Sequence, residues 1–221
     1  MHETVKNLIS IQSLINSKLL ELKEKSRIPK IIAVSKTFKI DHILPLIQYG
    51  HLDFGENKVQ EAIEKWTDIK NQNKDIRLHL IGKLQTNKVK FAVKIFDYIH
   101  SLDNEKLAKK IAEEQIKQNF KPKIFIQVNI GEEKQKNGIS KKELENFIKL
   151  CKNSLNLNII GLMCLPPNDG KHDLYFNEMQ KLCKEFKLEE LSMGMSNDYK
   201  SAITHESTFL RIGSNIFGQR I

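Results

Sequence analysis

The sequence predicts an α/β fold: a single (β/α)8 TIM barrel over residues 1–221 with an extra N-terminal helix. Three observations predict it. Short apolar runs suited to strands alternate with longer amphipathic stretches suited to helices, from residue 31 to the C-terminus. The run Ile124–Ile130 is nearly continuous in apolar character, as expected of a parallel strand covered on both faces. No Ser/Gly-rich linker or low-complexity tract interrupts the alternation. Eight βα units in one uninterrupted stretch make a barrel. A doubly wound open sheet is the competing architecture.

The opening segment places Leu8, Ile11, Ile15, Leu19 and Leu22 on one face at helical spacing, and Pro29 ends it. Strands are expected at 31–35, 52–54, 78–81, 97–101, 123–130, 157–163, 190–193 and 208–212. Helices are expected near 40–49, 57–70, 86–94, 104–118, 141–152, 172–187, 197–203 and 215–218. Leu107, Ile111 and Ile116 mark the face of the fifth of these βα helices counted with the opening one. Ser140 followed by Glu143 reads as a capping box, with Leu144, Phe147, Ile148 and Cys151 behind it on one face.

Composition narrows the function classes. With 40% hydrophobic and 29% charged residues the chain is globular rather than disordered. A domain of this size buries roughly 70% of its unfolded surface and needs no staple. No stretch approaches the roughly 20 apolar residues of a membrane span, and Met1-His2-Glu3-Thr4 lacks the start of a signal peptide, so a cytoplasmic location is expected. The cysteines, Cys151, Cys164 and Cys183, are odd in number with no C-x-x-C pair, and the histidines have no ligand spacing. Free thiols and no metal follow. The net charge of +9 invites a nucleic-acid reading, but the lysines sit beside glutamates on most helices and no reader motif accompanies them. No nucleic-acid partner is expected.

The chemistry begins with a lysine. The apolar run Ile31–Val34 passes through Ser35 to Lys36, and a desolvated lysine can become a neutral amine and form a Schiff base. Near the other end, Arg211 leads into Gly213 and Ser214, a small-residue turn opening a short helix, where a phosphate can rest. In a TIM barrel the site forms at the C-terminal ends of the strands, with a phosphate site built from the last two loops. That geometry would gather Lys36, Gly55-Glu56-Asn57, His79, Ser196, Arg211, Gly213 and Ser214, and a pyridoxal phosphate site is the suggestion. Each residue alone has a plainer reading. Lys36 can simply leave a strand into solvent, Arg211 can pair with a carboxylate, Asn57 and Asp198 can cap helices, and His79 can be a satisfied core histidine.

Seven segments then fall in a familiar order: Ala33–Thr37, Phe54–Asn57, His79–Gly82 with Leu84-Gln85, Asn87-Lys88, Gly161–Met163, Ser192–Asp198 and Arg211–Gly218. On these the whole chain resembles the pyridoxal phosphate homeostasis proteins, small barrels related to the N-terminal domain of alanine racemase. The resemblance implies that Lys36 is the Schiff-base lysine, that Ser196, Gly213 and Ser214 cradle the phosphate, and that Arg211 faces the pyridine nitrogen. It makes Asn57 a polar neighbour of the cofactor, with His79 in the same set. Two departures are mild: Ser214 stands where threonine is frequent, and Lys83 where proline often stands.

Arginine can only donate, so the pyridine nitrogen should stay unprotonated and a carbanion poorly stabilised. Racemisation would need an acid and a base on opposite faces of the substrate carbon. Alanine racemase draws its second group from a further domain, and this chain reaches Ile221 directly after the barrel. The expectation is a monomeric carrier or buffer of pyridoxal phosphate without demonstrable turnover, exchanging cofactor with apo-enzymes that depend on it. It would act indirectly on amino-acid and keto-acid pools. A weak racemase or other enzyme using this cofactor is the alternative, and a basic binding module a third.

Overall fold

The computed structural model describes residues 1–22, 27–133 and 135–219. Helix α1 (Glu3–Glu21) leads into β1 (Lys30–Val34), α2 (Ile40–Gln48), β2 (Asp53–Glu56), α3 (Val59–Gln72) and β3 (Arg77–Leu80). A single 3-10 turn, Thr86–Lys88, then opens α4 (Val89–Ile95), followed by β4 (Tyr98–Leu102), α5 (Glu105–Lys117) and β5 (Lys123–Val128). The second half runs α6 (Lys141–Lys149), β6 (Asn158–Cys164), α7 (His172–Glu185), β7 (Glu190–Met195), α8 (Tyr199–Thr204), β8 (Phe209–Ile212) and α9 (Ser214–Phe217). The strands close in sequence order, with β1 pairing in parallel with both β2 and β8. The expected eight-stranded barrel is the fold, and the open sheet is excluded by that closure.

Period-two alternation along each strand divides the apolar residues into two cores. On β1, Ile31 and Ala33 join the large cluster beneath the helices, while Ile32 joins Tyr98, Phe125, Met163 and Phe209 along the barrel axis. The axis is therefore filled, as in barrels of this strand number. Helix α1 buries Val5, Leu8, Ile11 and Ile15, the face its sequence spacing marks, against α2, α8 and α9. Asn7 Nδ2 donates to the Ile216 carbonyl at 3.0 Å. Because α9 has only four residues, α1 supplies the outer cover that a longer last helix would give.

One local expectation needs correction. Ser140 precedes α6, but its hydroxyl donates to Glu143 Oε2 at 2.5 Å and makes no cap to the backbone. The Glu143 carboxylate, a charged acceptor within easy reach, takes the hydroxyl proton, and no backbone N–H reaches the Ser140 oxygen. The same helix continues past Lys149 as a π-turn, Leu150–Ser154, which adds a residue to its last turn.

Strands β5 and β6 slip register between Ile124 and Phe125, where Gly161 comes opposite Glu190 of β7. A Cβ on Gly161 would sit 1.9 Å from the Glu190 carbonyl oxygen, a backbone atom that cannot step aside. Gly161→Ala should therefore cost about 3 kcal/mol, the upper end of overpacking penalties. A urea-unfolding midpoint unchanged from wild type would contradict this account of the β6–β7 contact.

Candidate functional site

At the end of β1 the chain turns through Ser35, Lys36 and Thr37, with Lys36 half-buried. Helix α3 clamps this turn from outside. Glu56, fully buried, accepts on Oε1 from Ser35 Oγ at 2.7 Å, Lys65 Nζ at 3.0 Å and Trp66 Nε1 at 3.0 Å. Burial pushes the Glu56 carboxyl above its usual range, against the pull of Lys65, Trp66 and Ser35. Lys65 also donates to the Ser35 carbonyl and to Glu61 Oε1, both at 3.0 Å. Glu61 Oε1 in turn takes the Thr37 N–H at 2.6 Å. Thr37 has φ +70°, a left-handed conformation that a β-branched residue adopts at a cost of about 1–3 kcal/mol unless its surroundings fix it. Here α3 fixes it, and the Lys36 backbone is held from both sides.

Opposite lies the β8 end. The Ala33–Ile212 register sets Gly213 level with the end of β1. Phe38 stacks on Phe217 at 4.9 Å between centroids, joining the Lys36 loop to α9. Asn215 Nδ2 donates to the Ser196 carbonyl at 3.0 Å, joining the β7 loop to the same helix. Lys36, Ser196, Gly213 and Ser214 thus lie on three loops that are tied to one another. Asp198 does not cap α8; its Oδ1 accepts from the Met195 N–H at 2.5 Å and closes the β7 turn.

Asn57 follows β2, and α3 begins after it with no side-chain cap. Its Oδ1 is buried without a hydrogen-bond partner among the described residues. The backbone of Gly82 passes so close that a Cβ there would lie 2.4 Å from the Asn57 carbonyl oxygen, so the β2 and β3 loops meet at glycine.

Arg211 is 4% exposed. Its Nη1 donates to both the carbonyl and the Oγ of Ser192, each at 2.6 Å, and its Nη2 to the Cys164 carbonyl at 2.8 Å. It forms no ion pair with a carboxylate among the described residues. Burial lowers its pKa from the ordinary value. His79 lies deeper, fully buried, with both ring nitrogens engaged: Nε2 on Asp53 Oδ1 at 3.0 Å and Nδ1 on His100 Nε2 at 3.0 Å. His100 Nδ1 continues to Ser192 Oγ at 2.8 Å. Arg77 grips Asp53 at the far end through Nε at 2.7 Å and Nη2 at 2.6 Å. Burial alone would raise the Asp53 pKa, but Arg77 and His79 hold it below the usual carboxylate range. Burial pushes both imidazoles below the ordinary histidine range.

The sequence reading singled out His79 and Arg211 but missed Asp53, Arg77, His100 and Ser192, which link them. Parity was the available signal. His79 and His100 share the inward phase of Arg77 and Tyr98 on neighbouring strands, and Ser192 that of Glu190. No cluster of three metal-ligating side chains occurs among the described residues. The three thiols are free and buried, each pushed up to about 12 by burial. Such thiols are inert. No described helix is long and apolar enough to cross a membrane.

Residues 12–221 match the family model of the alanine racemase N-terminal domain. The chain belongs to this family. It is 36% identical to the pyridoxal phosphate homeostasis protein of Pasteurella multocida, over 97% of this chain and 96% of the relative. Among solved structures it resembles PipY of Synechococcus elongatus, described with pyridoxal phosphate bound. That likeness has a TM-score of 0.80 and 31% identity, over 92% of this chain and 100% of PipY. Alanine racemase of Clostridium difficile shares the fold at a TM-score of 0.71 and 14% identity, over 99% of this chain and 57% of the racemase.

The buried ion pair behind His79 makes stability depend on pH. A carboxylate held below its unfolded pKa contributes stability that is complete above about pH 4 and is lost as pH falls through the folded value. Asp53→Asn should cost about 2 kcal/mol at pH 7, the scale of hydrogen bonds to a charged group. Urea unfolding should find that gap shrinking below about pH 4. A gap that widens on acidification would contradict an ionised Asp53.

Proposed function

We propose that this chain is a pyridoxal phosphate carrier. It holds the cofactor reversibly as a Schiff base on Lys36, buffers or delivers it to apo-enzymes, and so acts indirectly on amino-acid and keto-acid pools. The observation that carries this reading is Arg211, a buried cation near the end of β8 whose protein partners are neutral oxygens. A guanidinium has five N–H donors, so two remain for a ligand acceptor. The buried Asn57 Oδ1, without a partner among the described residues, is a second group open to a ligand. The 36% identical relative named for this cofactor and the PipY complex support the same assignment.

When bound, pyridoxal phosphate supplies a carbonyl carbon for amines and a ring that draws electrons, strongly when its nitrogen is protonated. Arg211 meets that nitrogen with a donor and keeps its own proton, since a guanidinium stays charged. Lys36 provides the amine. Ser196, Gly213 and Ser214 take the phosphate, with the N–H groups at the start of α9 outside the helix's own ladder. Asn57 lies beside the ring. The carrier works as a monomer in the cytoplasm and has no substrate of its own.

A weak racemase is the second reading, favoured by the fold shared with alanine racemase. It would need a base on the face opposite Lys36. Of the tyrosines, Tyr98 packs in the inner core and Tyr175 is bonded to Asp169 at 2.9 Å. Deuterium from solvent at the α-carbon of an amino acid would favour the racemase, and transfer of cofactor to an apo-enzyme without it the carrier.

The deciding experiment is the absorption spectrum of the protein with added pyridoxal phosphate, for wild type and Lys36→Ala, with borohydride reduction and peptide mapping. The wild type should give a Schiff-base band and a reduced adduct on Lys36, and the variant neither. A band surviving in Lys36→Ala, or none in wild type, would refute the proposal.

A further inference from the structure

Behind Arg211 the barrel axis holds a continuous file of hydrogen bonds: Arg211, Ser192, His100, His79, Asp53 and Arg77. Its direction follows from chemistry. The Asp53 carboxylate can only accept, so His79 Nε2 carries a hydrogen. In a neutral imidazole Nδ1 is then bare and must accept from His100 Nε2–H. His100 Nδ1 is bare in turn and accepts from the Ser192 hydroxyl. That leaves Ser192 Oγ its lone pairs, which take Arg211 Nη1–H. The reverse order would need a cationic His79 and would leave the Ser192 proton facing a guanidinium, with no acceptor. Burial, which disfavours both imidazolium ions, agrees with the neutral order. The ring planes are fixed as well. His79 stacks on Tyr98 and His100 on Phe125, each at 4.3 Å, with Phe209 at an angle to both.

We infer that His100, acting through Ser192 and backed by His79 and Asp53, is a positioning residue for the pyridoxal phosphate site. It holds Ser192 Oγ as an acceptor, and thereby turns the Nη1 edge of Arg211 away from the ligand and leaves the remaining N–H groups for the ring nitrogen. This rests on the functional reading above and deepens it. His79 then serves the site from behind Arg211 and not by touching the cofactor, because both its nitrogens are taken.

The test has two parts. In ligand-free protein, long-range proton–nitrogen correlation spectra should find His79 and His100 neutral, each with its hydrogen on Nε2. Pyridoxal phosphate is then added to wild type, His100→Phe and His100→Gln. Phenylalanine keeps the stack on Phe125 but breaks the file; glutamine can still accept from Ser192 and donate to His79. A buried hydroxyl that loses its acceptor costs on the order of tenfold in an equilibrium. His100→Phe should lose about tenfold in cofactor affinity and shift the absorption maximum, while His100→Gln stays within about threefold of wild type with its spectrum retained. Urea midpoints measured alongside separate this from a loss of folding. Nδ1–H tautomers or a cationic ring would overturn the proposal, as would equal affinity and spectra in all three proteins. A wild type that takes no cofactor would overturn the functional reading and this inference with it, whereas a normal wild type with indifferent variants removes this inference alone.

Discussion

Arg211 is a cation buried in the barrel with no ion pair to a carboxylate among the described residues, and much of the interior is arranged around that fact. A guanidinium taken out of water needs acceptors for its hydrogens and some compensation for its charge. The two Ser192 oxygens and the Cys164 carbonyl supply acceptors. The Asp198 carboxylate favours the charged guanidinium, and Asp53 stands at the far end of the file, reached through Ser192, His100 and His79. Asp53 is itself shared with Arg77, so the file as a whole carries one more positive than negative charge.

The lysine side of the mouth is built differently. The Lys36 turn is gripped from outside by Glu56 at the end of β2 and by Glu61, Lys65 and Trp66 of α3, which act on Ser35 and Thr37. The strained φ of Thr37 is affordable only in that grip. The two halves of the site are then locked together by the Phe38–Phe217 stack and the β1–β8 register. A residue in α3 can accordingly alter how Lys36 is presented without approaching the ligand.

Much of this was legible in the sequence. Strands such as β1, β5 and β6 announce themselves as apolar runs, because a barrel strand is covered on the inside by its neighbours and on the outside by helices, whereas β2 holds a single large apolar residue, Phe54. Lys36, Ser196, Arg211, Gly213 and Ser214 were legible because polar or small residues at strand ends break those runs. The file from Asp53 to Ser192 was not. Its members lie within or at the start of strands, and their pairing depends on the relative register of β2, β3, β4 and β7, which a linear pattern does not carry. Nor did the sequence announce the left-handed Thr37, since threonine is a poor residue for that conformation and only tertiary contacts explain it. The Ser140–Glu143 pair misled for the opposite reason: the local pattern was right for a cap, but the two side chains bond each other and no backbone N–H reaches the Ser140 oxygen.

On the proposed reading, the file also bears on why the protein would hold its cofactor rather than use it. A donor that could yield its proton to the ring nitrogen would strengthen the ring as an electron sink; Arg211 cannot, and its tie to Ser192 and Cys164 keeps it from swinging aside to admit a group that could. Reversal of the file would not help, because it requires an imidazolium where burial already disfavours one. The same bonds that make Arg211 a firm binding contact therefore make it a chemically passive one. Affinity without activation is what a carrier needs, and here both properties follow from one buried arginine and the direction of the hydrogen bonds behind it.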